Sequence, residues 1–258
     1  MPRASRLSVV SALAAALLLA VPAAARADNT ERVDRTIPFQ NGGTLQLKTF
    51  SGRVTISATD QPQVVIHAVR HGTQAQLDAI KLDIQESGSR IIIDANKKTG
   101  TSWFWRHNDV VETEFDIQVP ANTDLAIETF SSPVDVTGVA GAETVKGFSS
   151  PITLAGVTGP VEAHTFSGDI TVRSSKWTSG QPLDAATFSG DITLEVPATT
   201  QADVEFKTFS GDMHSDIPLV FEEQRHGTMR AQFKSGGGHG SESDFHLHTF
   251  SGDVRIKQ

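Results

Sequence analysis

The nine residues HTFSGDITV, at positions 164–172, are one of seven near-copies that recur along this chain. The phenylalanines of the seven copies are Phe50, Phe130, Phe148, Phe166, Phe188, Phe209 and Phe250. Four successive gaps between them are 18, 18, 22 and 21 residues, whereas the first gap is 80 and the last is 41. A period near 20 residues is typical of repeat proteins in which each repeat packs on its neighbours. The two longer gaps are expected to hold coils without the signature, or insertions.

The pattern inside each copy indicates β-strands and not helices. In VEAHTFSGDITV (161–172), apolar and polar residues alternate on both sides of Ser167 and Gly168. Thr165 and Ile170 are an odd number of positions apart, so an uninterrupted strand could not turn both of them inward. Glycine has the backbone freedom that a corner between them requires. Each copy therefore predicts two short strands joined by a corner.

These features predict an all-β fold, a single-stranded β-solenoid with about 18–22 residues per coil. One short helix is expected at residues 73–80 (TQAQLDAI). Stacked coils place equivalent residues about 4.8 Å apart, which explains why the same residues recur at the same position of each period. A sandwich of β-hairpins is the alternative all-β fold. Residues 28–258 are interpreted as one domain, less regular over 28–127 and regular over 128–258, and a division into two domains near Pro120 is the alternative.

Residues 1–27 have the features of a secretory signal peptide. Arg3 and Arg6 precede an apolar run, and Ala25-Arg26-Ala27 provides small residues for cleavage. A membrane anchor is the alternative, but it needs a longer apolar run of roughly 20 residues. We therefore expect an exported bacterial protein, periplasmic, extracellular or at the cell surface, with no membrane span after cleavage.

The composition limits what the chain can bind and how it is stabilised. The chain has no cysteine, so core burial and backbone hydrogen bonds must hold an exported fold together without disulfides. Its formal net charge is −8, and it becomes −11 when residues 1–27, with their three arginines, are removed. A chain this acidic lacks the positive charge that nucleic acids and anionic membrane surfaces require, so neither is expected as a partner.

The repeats resemble a known family. The recurrent T-x-S-G-D-I, the dipeptide Val119-Pro120 and the pattern GTMRAQFKSGGG followed by FHLHTFSGDVRI are similar to a bacterial putative-adhesin family of β-solenoid proteins. The similarity runs from about residue 36 to residue 258. This family is a domain of unknown function, and the resemblance implies a non-enzymatic envelope or surface protein without catalytic residues. In this chain FSSP replaces FSGD after Phe130 and Phe148, which interrupts any site built from the repeat aspartates.

The phenylalanines and the aspartates of the repeat form the first two candidate sites. By its position in the alternation each phenylalanine points away from the core. Either the corner turns the ring back inside, or the seven rings form a stacked column, which is a structural ladder or an exposed contact surface. Stacked carboxylates repel one another and need turn N–H groups or a cation to relieve the repulsion. Turn capping is the simpler interpretation. A weak metal site is the alternative, at Asp169, Asp191 and Asp212.

Two further clusters lie outside the repeat signature. Trp103, Phe104, Trp105 and Arg106 form an aromatic tip that either binds a ligand, such as a sugar, or covers an end of the solenoid. His239, His246 and His248 suggest a metal site. However, His248 occupies a repeat position that otherwise holds lysine, glutamate, alanine or histidine, which is typical of a solvated position.

No motif of catalysis or of cofactor binding is present. SGGGHG lacks the lysine of a phosphate loop, and no HExxH or GxSxG elbow occurs. We therefore expect no catalytic residues and no cofactor. The expected function is an adhesin or an interaction scaffold, and its partner an envelope polysaccharide or another envelope protein. A polysaccharide-acting β-helix enzyme is the alternative.

Overall fold

The computed structural model describes residues 29–98, 110–225, 228–233 and 243–258. These residues form β-strands and one short helix, so the prediction of an all-β fold with a single short helix is confirmed for the described part of the chain. Residues 1–27, predicted to be a signal peptide, lie outside it. No helix among the described residues is long and apolar enough to cross a membrane.

The N-terminal part contains seven strands and the helix. They are β1 (Asn29–Pro38), β2 (Thr44–Ser51), β3 (Val54–Thr59), β4 (Gln63–Gly72), α1 (Gln74–Ala79), β5 (Ile80–Ser87), β6 (Arg90–Lys98) and β7 (Glu112–Pro120). The helix α1 begins after Thr73, which forms a capping box with Gln76. Leu77 of α1 packs on Ile80 and Val111 in a small cluster of buried residues.

The rest of the chain contains fourteen strands. The eight central ones are β8 (Asp124–Ser131), β9 (Val134–Thr137), β10 (Glu143–Ser149), β11 (Ile152–Ala155), β12 (Val161–Ser167), β13 (Ile170–Arg173), β14 (Leu183–Ser189) and β15 (Ile192–Glu195). The last six are β16 (Ala202–Ser210), β17 (Met213–Ser215), β18 (Leu219–Arg225), β19 (Thr228–Phe233), β20 (Ser243–Ser251) and β21 (Val254–Lys257).

Each copy of the repeat forms one coil, made of two consecutive strands. The first strand of each coil lies in an eleven-stranded sheet and the second in a ten-stranded sheet. Neighbouring coils pair in parallel, and Val145 aligns with Ile127 and Ala163 at offsets of 18 residues. Ala163 aligns with Ala185 at an offset of 22 residues. Equal positions of the repeat therefore lie side by side along the stack.

The order of the coils in the stack differs from their order in the chain. The coil β20–β21 is the last in the sequence, but it lies between β14–β15 and β16–β17. At the other end, β2–β3 packs directly on β8–β9, across the gap of 80 residues. The two long gaps therefore hold chain that lies at the ends of the stack and not between the copies. In the first gap, β6 and β7 pair in parallel with β2 and β3 and continue the stack without the signature, as predicted.

Antiparallel strands cover the ends of the stack. Beyond β2–β3 lie β6 and β7, which pair antiparallel with β5 and β4, and β1 pairs with the outer edge of β4. Beyond β16, the strands β19 and β18 extend the eleven-stranded sheet in antiparallel orientation. Such strands limit pairing of the open sheet edges with another chain.

The core lies between the inner faces of the two sheets, and the corners connect the sheets. Buried residues from both sheets, between Ile37 and Ile256, form one hydrophobic cluster. At the corner, Gly190 has φ +153°, and a Cβ there would lie 2.2 Å from the carbonyl oxygen of Gly168 in the next coil. Gly190 is thus too close to its neighbour for a side chain, whereas serine stands at the equivalent positions 132 and 150.

Candidate functional site

The seven repeat phenylalanines, which we call the aromatic column, stack along the outer face of the eleven-stranded sheet. Their order follows the coils: Phe50, Phe130, Phe148, Phe166, Phe188, Phe250 and Phe209. Neighbouring ring centroids are 4.5–5.0 Å apart, which matches the spacing of the strands that carry them. All seven side chains are exposed, from 37% for Phe50 to 79% for Phe209. No described residue buries the column.

The stacking decides which part of each ring faces solvent. The planes of neighbouring rings lie within 2–15° of each other, so each inner ring has both faces against other rings. Ring edges are therefore what the inner part of the column presents to a partner. Each stacked pair adds roughly 0.5–1.5 kcal/mol beyond burial, so the column also stabilises the fold.

A groove of about 1000 Å³ runs beside the column, and we call it the aromatic groove. Phe166, Phe188, Phe209 and Phe250 line it. Its remaining lining comes from the two repeat positions before each phenylalanine. Because these positions recur in every coil, the groove follows the direction in which the coils stack.

Half of the polar side chains that line the aromatic groove are basic or imidazole groups. Lys146, His164, His248 and Lys207 line it, together with threonines, Gly147 and Ala186. No carboxylate among the described residues does so. The lining therefore carries local positive charge in a chain with a formal net charge of −8, and the carboxylates beside these lining residues lie outside the groove.

The acidic groups near the groove lie on the same outer face of the sheet, but outside the lining of the groove. Glu162 pairs with Lys146 at 2.8 Å, and the hydrogen bond from Lys146 lowers the pKa of the Glu162 carboxyl. Outside the groove, Lys48 pairs with Glu128 at 2.8 Å. Lys48 has the same position in its coil as Lys146, but it does not line the aromatic groove.

The repeat aspartates form a ladder at the corners, in the order Asp169, Asp191, Asp253 and Asp212. The Oδ1 atoms of Asp169, Asp191 and Asp253 each accept the backbone N–H of the next aspartate, at 2.9–3.0 Å. Arg255 also donates to Asp191 and Asp253, at 2.5 and 2.7 Å. The bond from the Asp253 N–H, and then Arg255, lower the pKa of Asp191. The aspartates thus cap backbone groups from coil to coil.

The structure does not bring together the three aspartates of the weak metal site. Asp253 lies between Asp191 and Asp212, because the coil β20–β21 is inserted there. The guanidinium of Arg255 also provides the positive charge that the ladder needs. The predicted aromatic tip, Trp103, Phe104, Trp105 and Arg106, lies outside the described residues.

A different cluster of metal-binding side chains does form. His246 and His248 of β20 lie beside Glu205 of β16, and their ligand atoms are all within 4.8 Å of one another. His239 lies outside the described residues. Sequence reasoning missed Glu205, since it is adjacent to His246 only because β20 pairs with β16. The repeat signature does not show that β20 and β16 are neighbours.

Glu143 is a buried carboxyl that the sequence reading did not identify. It is 1% exposed, lies in register with Leu125 and Val161, and neither of its carboxyl oxygens has a hydrogen-bond partner. Burial raises the pKa of Glu143 to about 8. The group is therefore mostly protonated at neutral pH, and it occupies an aliphatic position of the core.

Comparisons with known proteins agree with the repeat architecture. Residues 144–257 match the model of the Toastrack DUF4097 family, a stretch that includes five of the seven repeat copies. No curated protein matches the chain.

Two solved structures are similar to the chain at low sequence identity. A putative cell adhesion protein from Clostridium sporogenes is 12% identical, with a TM-score of 0.49, over 88% of this chain and 100% of that one. A putative adhesin from Bacteroides fragilis is 9% identical, with a TM-score of 0.44, over 88% of this chain and 97% of that one. At these scores the likenesses carry no inference about function. The match over 144–257 supports the resemblance to a putative-adhesin family of unknown function.

Proposed function

We propose that this protein is a non-catalytic scaffold of the bacterial cell envelope or surface, with an adhesin-like binding role, and that its ligand lies along the aromatic groove. The observation that carries this proposal is the exposure of the aromatic column, with every ring at least 37% exposed. Soluble proteins rarely expose a contiguous apolar surface of this kind unless it contacts a ligand or partner. The rings recur at the same outward position in all seven copies.

The chemistry of the groove favours a long-chain anionic amphiphile, such as a fatty acid or an acyl chain with an acidic head. The apolar wall is continuous along four rings, which suits an extended acyl chain. Lys207 is positioned to attract the acidic head, whereas Lys146 already pairs with Glu162. An envelope polysaccharide is less well suited, because the inner rings of the column cover one another's faces.

Neither a second envelope protein nor an enzymatic role has comparable support. A protein partner could contact the ring edges, but the groove offers it no feature that an acyl chain would not use. A polysaccharide-acting enzyme would need a pair of carboxylates at the ligand. The described lining of the aromatic groove contains none.

The test is calorimetric titration of the purified protein with saturated fatty acids of increasing length. We expect affinity to rise with chain length by up to about 0.8 kcal/mol per buried CH₂ group, until the chain exceeds the groove. An alcohol of equal length should bind more weakly than the acid. F188A should weaken binding by about tenfold or more, because roughly 1.4 kcal/mol of lost contact is a factor of ten.

The chain provides matched controls for both kinds of contact. Phe130 belongs to the aromatic column but does not line the groove, so F130A should leave fatty-acid affinity unchanged. Lys207→Gln should weaken the acid but not the alcohol, whereas Lys48→Gln should affect neither. If no chain length binds, or if F130A weakens binding as much as F188A, the groove is not the ligand site.

The proposal also includes export and a single domain. The basic start, apolar run and Ala25-Arg26-Ala27 of residues 1–27 support cleavage of a signal peptide. The continuous hydrophobic cluster on both sides of Pro120 supports one domain over residues 28–258 and not a division at Pro120. Finding residue 1 or 2 as the N-terminus of the protein isolated from its bacterium would contradict the export step.

A further inference from the structure

We propose that Glu205, His246 and His248 form a binding site for a divalent transition-metal ion of the Zn²⁺ type. Two imidazoles and a carboxylate are a common ligand set of zinc sites that keep a coordination position open. The ligand atoms of the three residues lie within 4.8 Å of one another, so one ion can contact all three after small rotations of the side chains. Glu205 and His248 are partly buried, which reduces competition from bulk water, whereas His246 is exposed.

The strands hold the three side chains on one face. His246 and His248 are two positions apart on β20, so both point to the outer face of the eleven-stranded sheet. Glu205 is the direct neighbour of His246 on the parallel strand β16. The backbone positions of all three ligands are therefore fixed by regular sheet pairing.

The imidazoles are suited to binding a metal ion. The Nε2 atom of His248 is buried, has no hydrogen-bond partner and lies 3.7 Å from a carboxylate oxygen of Glu205. The two imidazole rings are 6.1 Å apart and inclined by 70°, so they are not stacked on each other.

The surrounding charges favour a cation on one side and oppose it on the other. Asp184 of β14 aligns with His246 on the side away from Glu205 and provides a second carboxylate near the cluster. Lys207 aligns with His248 and opposes a cation.

The site is tested by titrating untagged, metal-free protein with Zn²⁺ against a chromogenic zinc chelator. We expect one ion per chain to be bound at this site, and H246A or H248A to lower the affinity by about tenfold or more, as loss of one ligand implies. Glu205→Gln should also weaken it. H164A is the matched control, because His164 occupies the repeat position of His248 two coils away and should leave the affinity unchanged.

The outcomes separate this site from other zinc binding and from the fatty-acid proposal. Circular dichroism should show that each variant remains folded, because the three side chains lie on the outer face. Absence of zinc binding by the wild type, or equal losses in H164A and H248A, overturns the proposal. No fatty acid is present in this titration, so its result is independent of the aromatic-groove experiment.

Discussion

Replacing the buried carboxyl of Glu143 should make the stability of the protein less dependent on pH. The pKa of this group is about 8 in the folded protein, against an ordinary value of 4.5. Below pH 4.5 the carboxyl is protonated in both the folded and the unfolded chain, and it adds no pH dependence. Between pH 4.5 and 8 only the unfolded chain releases the proton, so the free energy of unfolding falls as pH rises. Above pH 8 both states are ionised and the loss is complete.

The size of the effect follows from the two pKa values. From pH 5 to pH 7 the wild-type protein should lose about 2.5 kcal/mol of unfolding free energy through this group, at 1.36 kcal/mol per pKa unit. Glu143→Gln keeps the shape of the side chain but cannot ionise, so it should not show this loss. Glu143→Leu, which matches Leu125 in the neighbouring coil, should in addition be more stable at both pH values.

The measurement is urea unfolding of the wild type and of Glu143→Gln at pH 5 and pH 7. The difference between the two proteins should grow by about 2.5 kcal/mol in favour of the variant at pH 7. Glu162→Gln is the control. Lys146 lowers the pKa of the Glu162 carboxyl, so the stability that this group contributes is lost as pH falls, and its pH dependence has the opposite sign to that of Glu143. A constant difference between wild type and Glu143→Gln at the two pH values would refute the reasoning, since it would mean that the folded carboxyl ionises normally.

Two further substitutions test the architecture of the repeat. Gly190→Ala should lower the free energy of unfolding, measured by thermal unfolding, by about 1–3 kcal/mol, because residue 190 has a positive φ and lies close to the backbone of Gly168. Gly72→Ala is the control, and at its uncrowded position it should change the free energy of unfolding much less. Phe188→Ala removes two stacked ring contacts, whereas Phe209→Ala removes one. Phe188→Ala should therefore be the more destabilising substitution by about 0.5–1.5 kcal/mol. Equal losses of stability in the two variants would show that the stacking contributes little.

The sequence predicts those features of the fold that depend on the alternation of residues within one copy of the repeat. The odd spacing between Thr165 and Ile170 predicts the corner, and the alternation predicts that Phe166 points away from the core. Both residues of the pair Thr165 and Ile170 are buried, and Phe166 is 47% exposed. These predictions depend only on local alternation, which a single copy of the repeat already contains.

The sequence could not predict what depends on the order of the coils. All copies carry nearly the same signature, so any coil could pair with any other, and the position of β20–β21 is not visible from it. The cluster of Glu205, His246 and His248, and the separation of Asp191 from Asp212, both result from that position. Glu143 is different, because aligning the copies would have shown an acid where Leu125 and Val161 stand.

The insertion of β20–β21 between two earlier coils has a consequence for synthesis on the ribosome. Residues 202–215 leave the ribosome before residues 243–257, yet in the finished protein they pair with them and not with 183–195. The nascent β16–β17 carries the same TFSGD signature as its neighbours and can pair with β14–β15 while that edge is still free. We expect such a premature pairing to delay completion of the fold, because the two coils must separate again before the last coil can enter.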